Sequence, residues 1–309
     1  MGLFVRKFLL WFLISSLLFV NISYISESPP CSLDVEIGQS FTYEVITSSL
    51  DVSHKREQYV KEDVFQYFLQ QFSISNPIAI SVVNISDLVI NYTLSCQGSN
   101  FSRLSPLLPS FLDSLMSVYI NNLLFYPVSI ADNFYYDYIE YGNFSSGYIA
   151  TGLQLDDILF FISTNNTMWT ILQENLAFYE SEENYNIGND DFKVETSYLD
   201  TNGLIYIEGW FSGVIDYNKV RAFANNGFQL VFNKTSGLLY GVRIKGSYDG
   251  VFENFGLTCH TEFHMELLNY DLPEFSLYDH VTPVFGSYMF YFGLVLIPII
   301  IIRKKCARK

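Results

Sequence analysis

The sequence predicts an α+β fold: an antiparallel β-rich domain, built as a curved sheet or meander with one to three helices, followed by one C-terminal transmembrane helix. Three observations predict it. From Phe192 onward, alternating apolar runs are separated only by short turn signals. Short turns between consecutive strands mean antiparallel pairing, since parallel crossovers need a dozen or more residues. Val284 to Ile302 carries no charge and is followed at once by Arg303-Lys304-Lys305-Cys306-Ala307-Arg308-Lys309. In helical form that stretch reaches ~28 Å, close to the hydrocarbon core of a bilayer, and a basic block behind a span marks the cytoplasmic side. At the other end, Arg6 and Lys7 precede the apolar run Phe8 to Val20, with Ser26 and Ser28 as small residues beyond it. That is the layout of a secretory signal, with an uncleaved anchor as the alternative.

The domain plan is therefore a signal peptide over residues 1–28, a β-rich extracytoplasmic domain over 29–283, a transmembrane helix over 284–302 and a basic cytoplasmic tail over 303–309. The chain carries a net charge of −15, although 17 Lys and Arg are present, and several of those cations lie in the two terminal segments. An acidic domain repels nucleic acid and anionic lipid heads. Nucleic acid is excluded as a partner, and the acidic excess reads first as a solubilising surface. Asn-x-Ser/Thr sequons at Asn84, Asn91, Asn100, Asn143, Asn165 and Asn233 fit a glycosylated exterior, so each is expected at an exposed position.

Taken in order, Gln39 to Thr47 alternates Phe41, Tyr43 and Val45 against polar neighbours, a half-buried strand. Ser53 to Phe72 is richer in Lys, Glu and Gln, and Val60, Val64, Tyr67 and Phe68 fall at helical spacing, so the stretch reads as a helix or a long strand, the helix favoured. Ile78–Val83 and Asp87–Cys96 read as paired strands. Leu104–Val128 is apolar and punctuated by prolines, with Phe111, Leu112, Leu115, Met116, Tyr119 and Leu123 on one helical stripe. Asp113, Asn121 and Asn122 argue against a second span there. The tyrosine-dense Phe134–Tyr141 reads as another strand. Thr167–Tyr179 predicts a short helix capped by Thr167. Phe192–Tyr198, Leu204–Tyr217, Gly227–Asn233, Leu238–Ser247 and Gly256–Leu268 then form a five-stranded meander. Its expected turns are Asp200-Thr201-Asn202-Gly203, Asn225-Asn226-Gly227, Lys234-Thr235-Ser236-Gly237 and Asp249-Gly250.

Of the 4 cysteines, Cys306 belongs to the cytoplasmic tail. Cys31, Cys96 and Cys259 are exported, an odd set that permits one disulfide. Cys96 shares the apolar face of Leu88, Ile90, Tyr92 and Leu94; Cys259 shares that of Thr261, Phe263, Met265 and Leu267. Two inward-facing cysteines are the expected pair, Cys96 with Cys259, leaving Cys31 over.

Gln39-Ser40-Phe41-Thr42-Tyr43-Glu44-Val45 after Ile37-Gly38 resembles the opening of the choice-of-anchor S family, surface proteins of Asgard archaea. Asn233-Lys234-Thr235-Ser236-Gly237-Leu238-Leu239-Tyr240, running into Ile244 to Gly250, is similar to that family's tyrosine–lysine–threonine–glycine strand turn. The resemblance spans most of the exported part. It implies a secreted domain carried on one of several anchors and brings no catalytic residues, no enzymatic activity and no cofactor.

Chemistry concentrates in Cys259-His260-Thr261-Glu262-Phe263-His264-Met265-Glu266. On a strand, His260, Glu262 and His264 share one face, and imidazole and carboxyl donors in a row are candidate zinc ligands. The alternative is a polar solvent face, favoured by the cations Arg243 and Lys245 on the neighbouring run. Glu180, Glu182, Glu183, Asp190 and Asp191 make an acidic stretch without the order of a calcium loop. Gly209-Trp210-Phe211-Ser212-Gly213 lacks the spacing of a nucleophile elbow. Three functions stay open: a binding or interaction module for an apolar ligand or a partner protein, with Pro109–Phe125 or Thr167–Tyr179 roofing the sheet; a metal-dependent hydrolase using His260, Glu262 and His264; and a structural envelope component.

Overall fold

The computed structural model describes residues 33–55, 57–67, 70–107, 120, 123, 158–181, 191–217, 220–252 and 254–276. They form the expected antiparallel β-rich fold. The strands are β1 (Ser40–His54), β2 (Glu57–Glu62), β3 (Val64–Tyr67), β4 (Gln70–Ser73), β5 (Ile78–Ile85), β6 (Val89–Cys96), β7 (Ser99–Pro106), β8 (Asp191–Thr201), β9 (Leu204–Tyr217), β10 (Val220–Asn233), β11 (Leu239–Phe252) and β12 (Phe255–Leu267). Among the described residues one helix can be followed over its length, α1 (Asn166–Ser181). The main sheet runs β7-β6-β5-β1-β12-β11-β10-β9-β8, with β2 also paired to β1 and β3-β4 as a separate hairpin. Strand β1 holds the two halves together. Its first residues pair β5, its last pair β2, and its other edge pairs β12 along almost the whole length.

The meander of the second half is present as the turn chemistry predicts, through Asn202 and Gly203 (φ 53 and 75) and through Gly237 (φ 65). Two expected turns are instead strand interiors. Asn225-Asn226-Gly227 lies within β10 and Asp249-Gly250 within β11. The glycines there serve close packing: a Cβ on Gly227 would lie 2.8 Å from the Trp210 ring, and one on Gly250 2.2 Å from Ala222 Cβ.

Of the two readings of Ser53–Phe72, the favoured helix is not formed among the described residues. Those residues extend β1 and make β2, β3 and β4. Strand β2 is exposed on most of its length, so its polar composition reflects an outer strand. Phe65, Tyr67 and Phe72 turn inward instead, and Tyr67 meets Phe101 edge-on at 4.5 Å. Helix α1 matches its prediction, except that Asn165 caps it: its Oδ1 accepts from the Thr167 N–H at 3.0 Å. A side-chain acceptor there satisfies one of the donors a helix start leaves open. Met168, Trp169, Leu172, Leu176 and Tyr179 are buried at spacings of three and four.

The core lies on the inner face of the sheet. Phe160 and Phe161 enter it from the segment before α1, with Phe160 at 5.2 Å from Tyr43 and Phe161 at 5.4 Å from Tyr92. Burial of aromatics of this size contributes about 1.5–3 kcal/mol each. Of the stripe over Leu104–Val128, Ile120 and Leu123 are described; both are helical and buried. The tyrosine-rich Phe134–Tyr141, the expected signal peptide, the expected transmembrane segment, Cys31, Cys306 and Asn143 lie outside the described residues. Among the described residues no helix is long and apolar enough to cross a membrane.

The expected Cys96–Cys259 disulfide is absent: both are buried free thiols. Each does face inward, but β5 and β1 stand between β6 and β12. Three strand spacings of ~4.8 Å put the two roughly 14 Å apart, beyond the ~7 Å that a disulfide tolerates.

Candidate functional site

The polar side of the meander carries an organised row. Register places Glu208 on β9, Gln229 on β10, Arg243 on β11 and His264 on β12 as successive cross-strand partners. Polar side chains at these positions would ordinarily face water. Here Glu208, Gln229 and Arg243 are buried, and the His264 side chain is 13% exposed. What covers them is the chain beyond β12. Asn269 adopts a left-handed conformation (φ 67) and turns the backbone, so residues 270–276 run back across the sheet as a strap.

Each strand of the row holds the strap or its neighbour. Gln229 Nε2 donates to Glu208 Oε1 at 2.8 Å. Glu208 then accepts from the Ser276 N–H at 3.0 Å, and from the Ser276 hydroxyl as well. Arg243 Nη1 donates to the Pro273 carbonyl at 3.2 Å, and its guanidinium stacks 5.6 Å from the Phe275 ring centre. Glu266 Oε2 accepts from the Leu272 N–H at 3.1 Å and pairs with His264 Nε2 at 3.0 Å. Gly241 admits the strap: a Cβ there would lie 2.7 Å from Leu272. Leu272 and Phe275 are buried against this face, apart from the main core. The ion pair from Arg243 to Glu274 adds little, because the Glu274 side chain is 95% exposed and solvent screens such a pair. The hydrogen bonds to the strap's backbone are what hold it.

The environment sets the protonation of His264. Burial lowers its pKa below the ordinary 6.5, and the Arg243 charge lowers it further, against the opposing pull of Glu266 and Glu262. Tyr270 is pushed upward by burial and by its contact with Tyr206.

The proposed metal ligands are placed on one face, as the alternation predicts, but they do not converge. His260 is 3.9 Å from Asp249, Glu262 is 4.0 Å from Lys245, and His264 pairs with Glu266. Among the described residues no group of three or more His, Cys, Asp or Glu is placed to hold a metal ion. The cause is spacing and charge. Same-face strand neighbours sit ~7 Å apart, and β11 offers Arg243 and Lys245 where a further ligand is needed. A depression of about 150 Å³ beside them, lined by Ser49, Asn225, Lys245, Ser247, His260 and Glu262, falls below the 300–1,000 Å³ usual for small-molecule sites.

Other singled-out residues sit apart from the row. Glu180, at the end of α1, accepts from Thr196 Oγ1 at 3.2 Å, and Asp191 opens β8; Glu182, Glu183 and Asp190 lie outside the described residues. Among the sequons, Asn84 and Asn100 are exposed, while Asn91 is half-buried directly across from Asn84. Asn165 and Asn233 depart from the expected full exposure because their amides hold local structure. Asn165 caps α1, and Asn233 Oδ1 accepts from Thr235 and Ser236 while its Nδ2 donates to Tyr240. The strap is absent from the sequence-based expectations. Its signals are Pro273 between Leu272 and Phe275, and a Glu-x-Trp pair at Glu208 and Trp210 on the polar side of β9.

The class this geometry defines is an antiparallel β-sheet domain with a strapped outer face. Comparison with protein-family models, with curated proteins and with solved structures finds no match to the chain.

Proposed function

We propose that the chain is a surface protein anchored by residues 284–302, with residues 29–283 outside the cell and 303–309 in the cytoplasm, and that its β-rich part is a non-enzymatic interaction module. The observation that carries this reading is the strap. The last described residues, up to Ser276, are bonded to three strands of the sheet. Residues 277–283 then span at most roughly 25 Å. An uncharged segment and a basic tail follow, the pattern of a span that stops with its cations inside. A module fixed so close to its anchor works at the membrane surface.

Two clefts among the described residues, one beside His260 and Glu262 and one beside Asp34 and Thr235, are lined by more polar than apolar residues. That favours a polar ligand or a partner surface over the apolar ligand that composition suggests. The separated pairings of His260, Glu262 and His264 speak against metal-dependent hydrolysis.

A tag after Lys309 tests the topology. In intact cells it should be unreachable by antibody while residues 29–283 are reachable, and the protein should leave the membrane fraction only with detergent. A reachable tag, or release without detergent, refutes the reading.

A further inference from the structure

The strap lies over β9–β12. Beyond β1, the outer face of β5, β6 and β7 has a different character. Ile90, Tyr92, Leu94 and Cys96 of β6 are buried toward the core, so Asn91, Thr93 and Ser95 point the other way, as alternation along a strand requires. Register then sets Asn84 and Leu104 on either side of Asn91, Ser81 and Ser102 on either side of Thr93, and Asn100 across from Ser95. Not one of these side chains is charged, in a chain of net charge −15. The sequons of Asn84, Asn91 and Asn100, separate in sequence, thereby share one uncharged face.

The three asparagines differ in the room they have. Asn84 is exposed near the end of β5, and Asn100 is exposed near the start of β7. The Ser95 hydroxyl donates to Asn100 Oδ1 at 2.6 Å, which holds the carboxamide on this face and leaves its nitrogen out of the bond. Asn91 is half-buried on the middle strand, directly across from Asn84. Opposed side chains on paired strands start about 4.5–5.5 Å apart, so a sugar on Asn84 fills the space that a sugar on Asn91 would need. Asn84 and Asn100 are offset along the strands and across two strand spacings, roughly 16 Å in all, which leaves room for both. Asn233 is the contrary case. Its Oδ1 accepts from Thr235 and Ser236, and its Nδ2 donates to the Tyr240 hydroxyl at 3.2 Å, so its carboxamide is engaged at both ends.

We infer that Asn84 and Asn100 carry N-linked glycans while Asn91 and Asn233 do not, which makes the outer face of β5–β7 a sugar-covered face. The inference rests on the reading that residues 29–283 stand outside the cell. In the joining step the asparagine nitrogen bonds to C1 of a sugar carried on a polyprenyl phosphate or diphosphate. The bond from C1 to the phosphate oxygen breaks, the phosphate leaves with the electron pair, and the nitrogen gives up one proton. Whether transfer precedes or follows folding, the sugar has to fit the finished sheet. Glycans are bulky and solubilising, and here they supply the hydration that this face's own uncharged side chains lack. A partner of the module is thereby kept to other faces.

The test is mass spectrometry of the full chain purified from its native membrane. Trypsin leaves Glu62–Arg103 as one peptide, because no Lys or Arg lies between, and that peptide holds all three sequons of the face. Its principal form should carry two glycans, localised by electron-transfer fragmentation to Asn84 and Asn100. The peptide ending at Lys234 should carry none. A principal form with any other count, a glycan at Asn91 or a glycan at Asn233 overturns the inference. An unmodified peptide, with a tag after Lys309 still unreachable, removes the glycans and leaves the anchored reading standing, so the two fail separately.

Discussion

Glu208 on β9 and Ser276 on the strap meet through both backbone and hydroxyl: the Ser276 N–H donates to Glu208 Oε2 at 3.0 Å and to Oε1 at 3.2 Å, and the Ser276 hydroxyl donates to Oε2. Glu208 is 6% exposed and Ser276 is exposed, so these bonds are shielded from water on the Glu208 side.

Glu208→Ala should therefore free the strap. Hydrogen bonds to a charged group contribute about 1.5–3 kcal/mol, and Gln229 Nε2 would lose its partner as well. The expected outcome is a loss of about 2–4 kcal/mol in urea unfolding, with new proteolytic cleavage between Asp271 and Ser276. Unchanged stability and no new cut would show that the strap is held by its apolar residues instead.

The row also makes stability depend on pH. Because the folded pKa of His264 lies below 6.5, the unfolded chain binds the proton more readily. Stability should be full above about pH 7 and fall as pH drops through 6.5, levelling below the folded pKa. His264→Gln should flatten this part of the profile, measured as urea midpoints between about pH 5 and 7.5. A wild-type profile that matches the variant's would remove His264 from the account.

The thiols give a sharp readout. Burial pushes Cys96 up to about 11 and Cys259 further, with Asp249 and Asp51 adding to the latter. Thiolate is the reactive form, so neither should be labelled by maleimide in the folded protein and both should be labelled in guanidinium. Non-reduced digestion should yield no peptide linking Cys96 to Cys259; such a peptide would contradict the strand order.

Two glycines with similar backbones should respond differently. At Gly203 (φ 75) an added Cβ would meet nothing within 4 Å, whereas at Gly237 (φ 65) it would lie 1.9 Å from the Ile162 carbonyl oxygen. Gly203→Ala should cost about 1–2 kcal/mol, the ordinary penalty of a left-handed L-residue. Gly237→Ala should cost about 3 kcal/mol or more, since it also breaks the contact between the turn and residues 160–162. Equal losses in urea unfolding would show that the turn can move aside.

Much of the fold was legible. The meander carried its own punctuation in Asn202-Gly203 and Ser236-Gly237, and Met168 to Tyr179 carried a helical stripe. Ser53–Phe72 misled because an outer strand such as β2 needs little apolar alternation, leaving Val60, Val64 and Tyr67 to mimic helical spacing. Gly227 and Gly250 misled for another reason: glycine marks close approach as well as turns, and only the third dimension tells which. The cross-strand row was invisible for the same cause. Glu208, Gln229, Arg243 and His264 are remote in sequence and become neighbours only through register.

The strap has a mechanical consequence. Up to Ser276 the strap crosses β12, β11, β10 and β9, each of which has a bonded partner on both sides. Tension applied at Ser276 therefore enters the sheet through interior strands, at Glu208, Arg243 and Glu266, before it reaches the borders at β7 and β8.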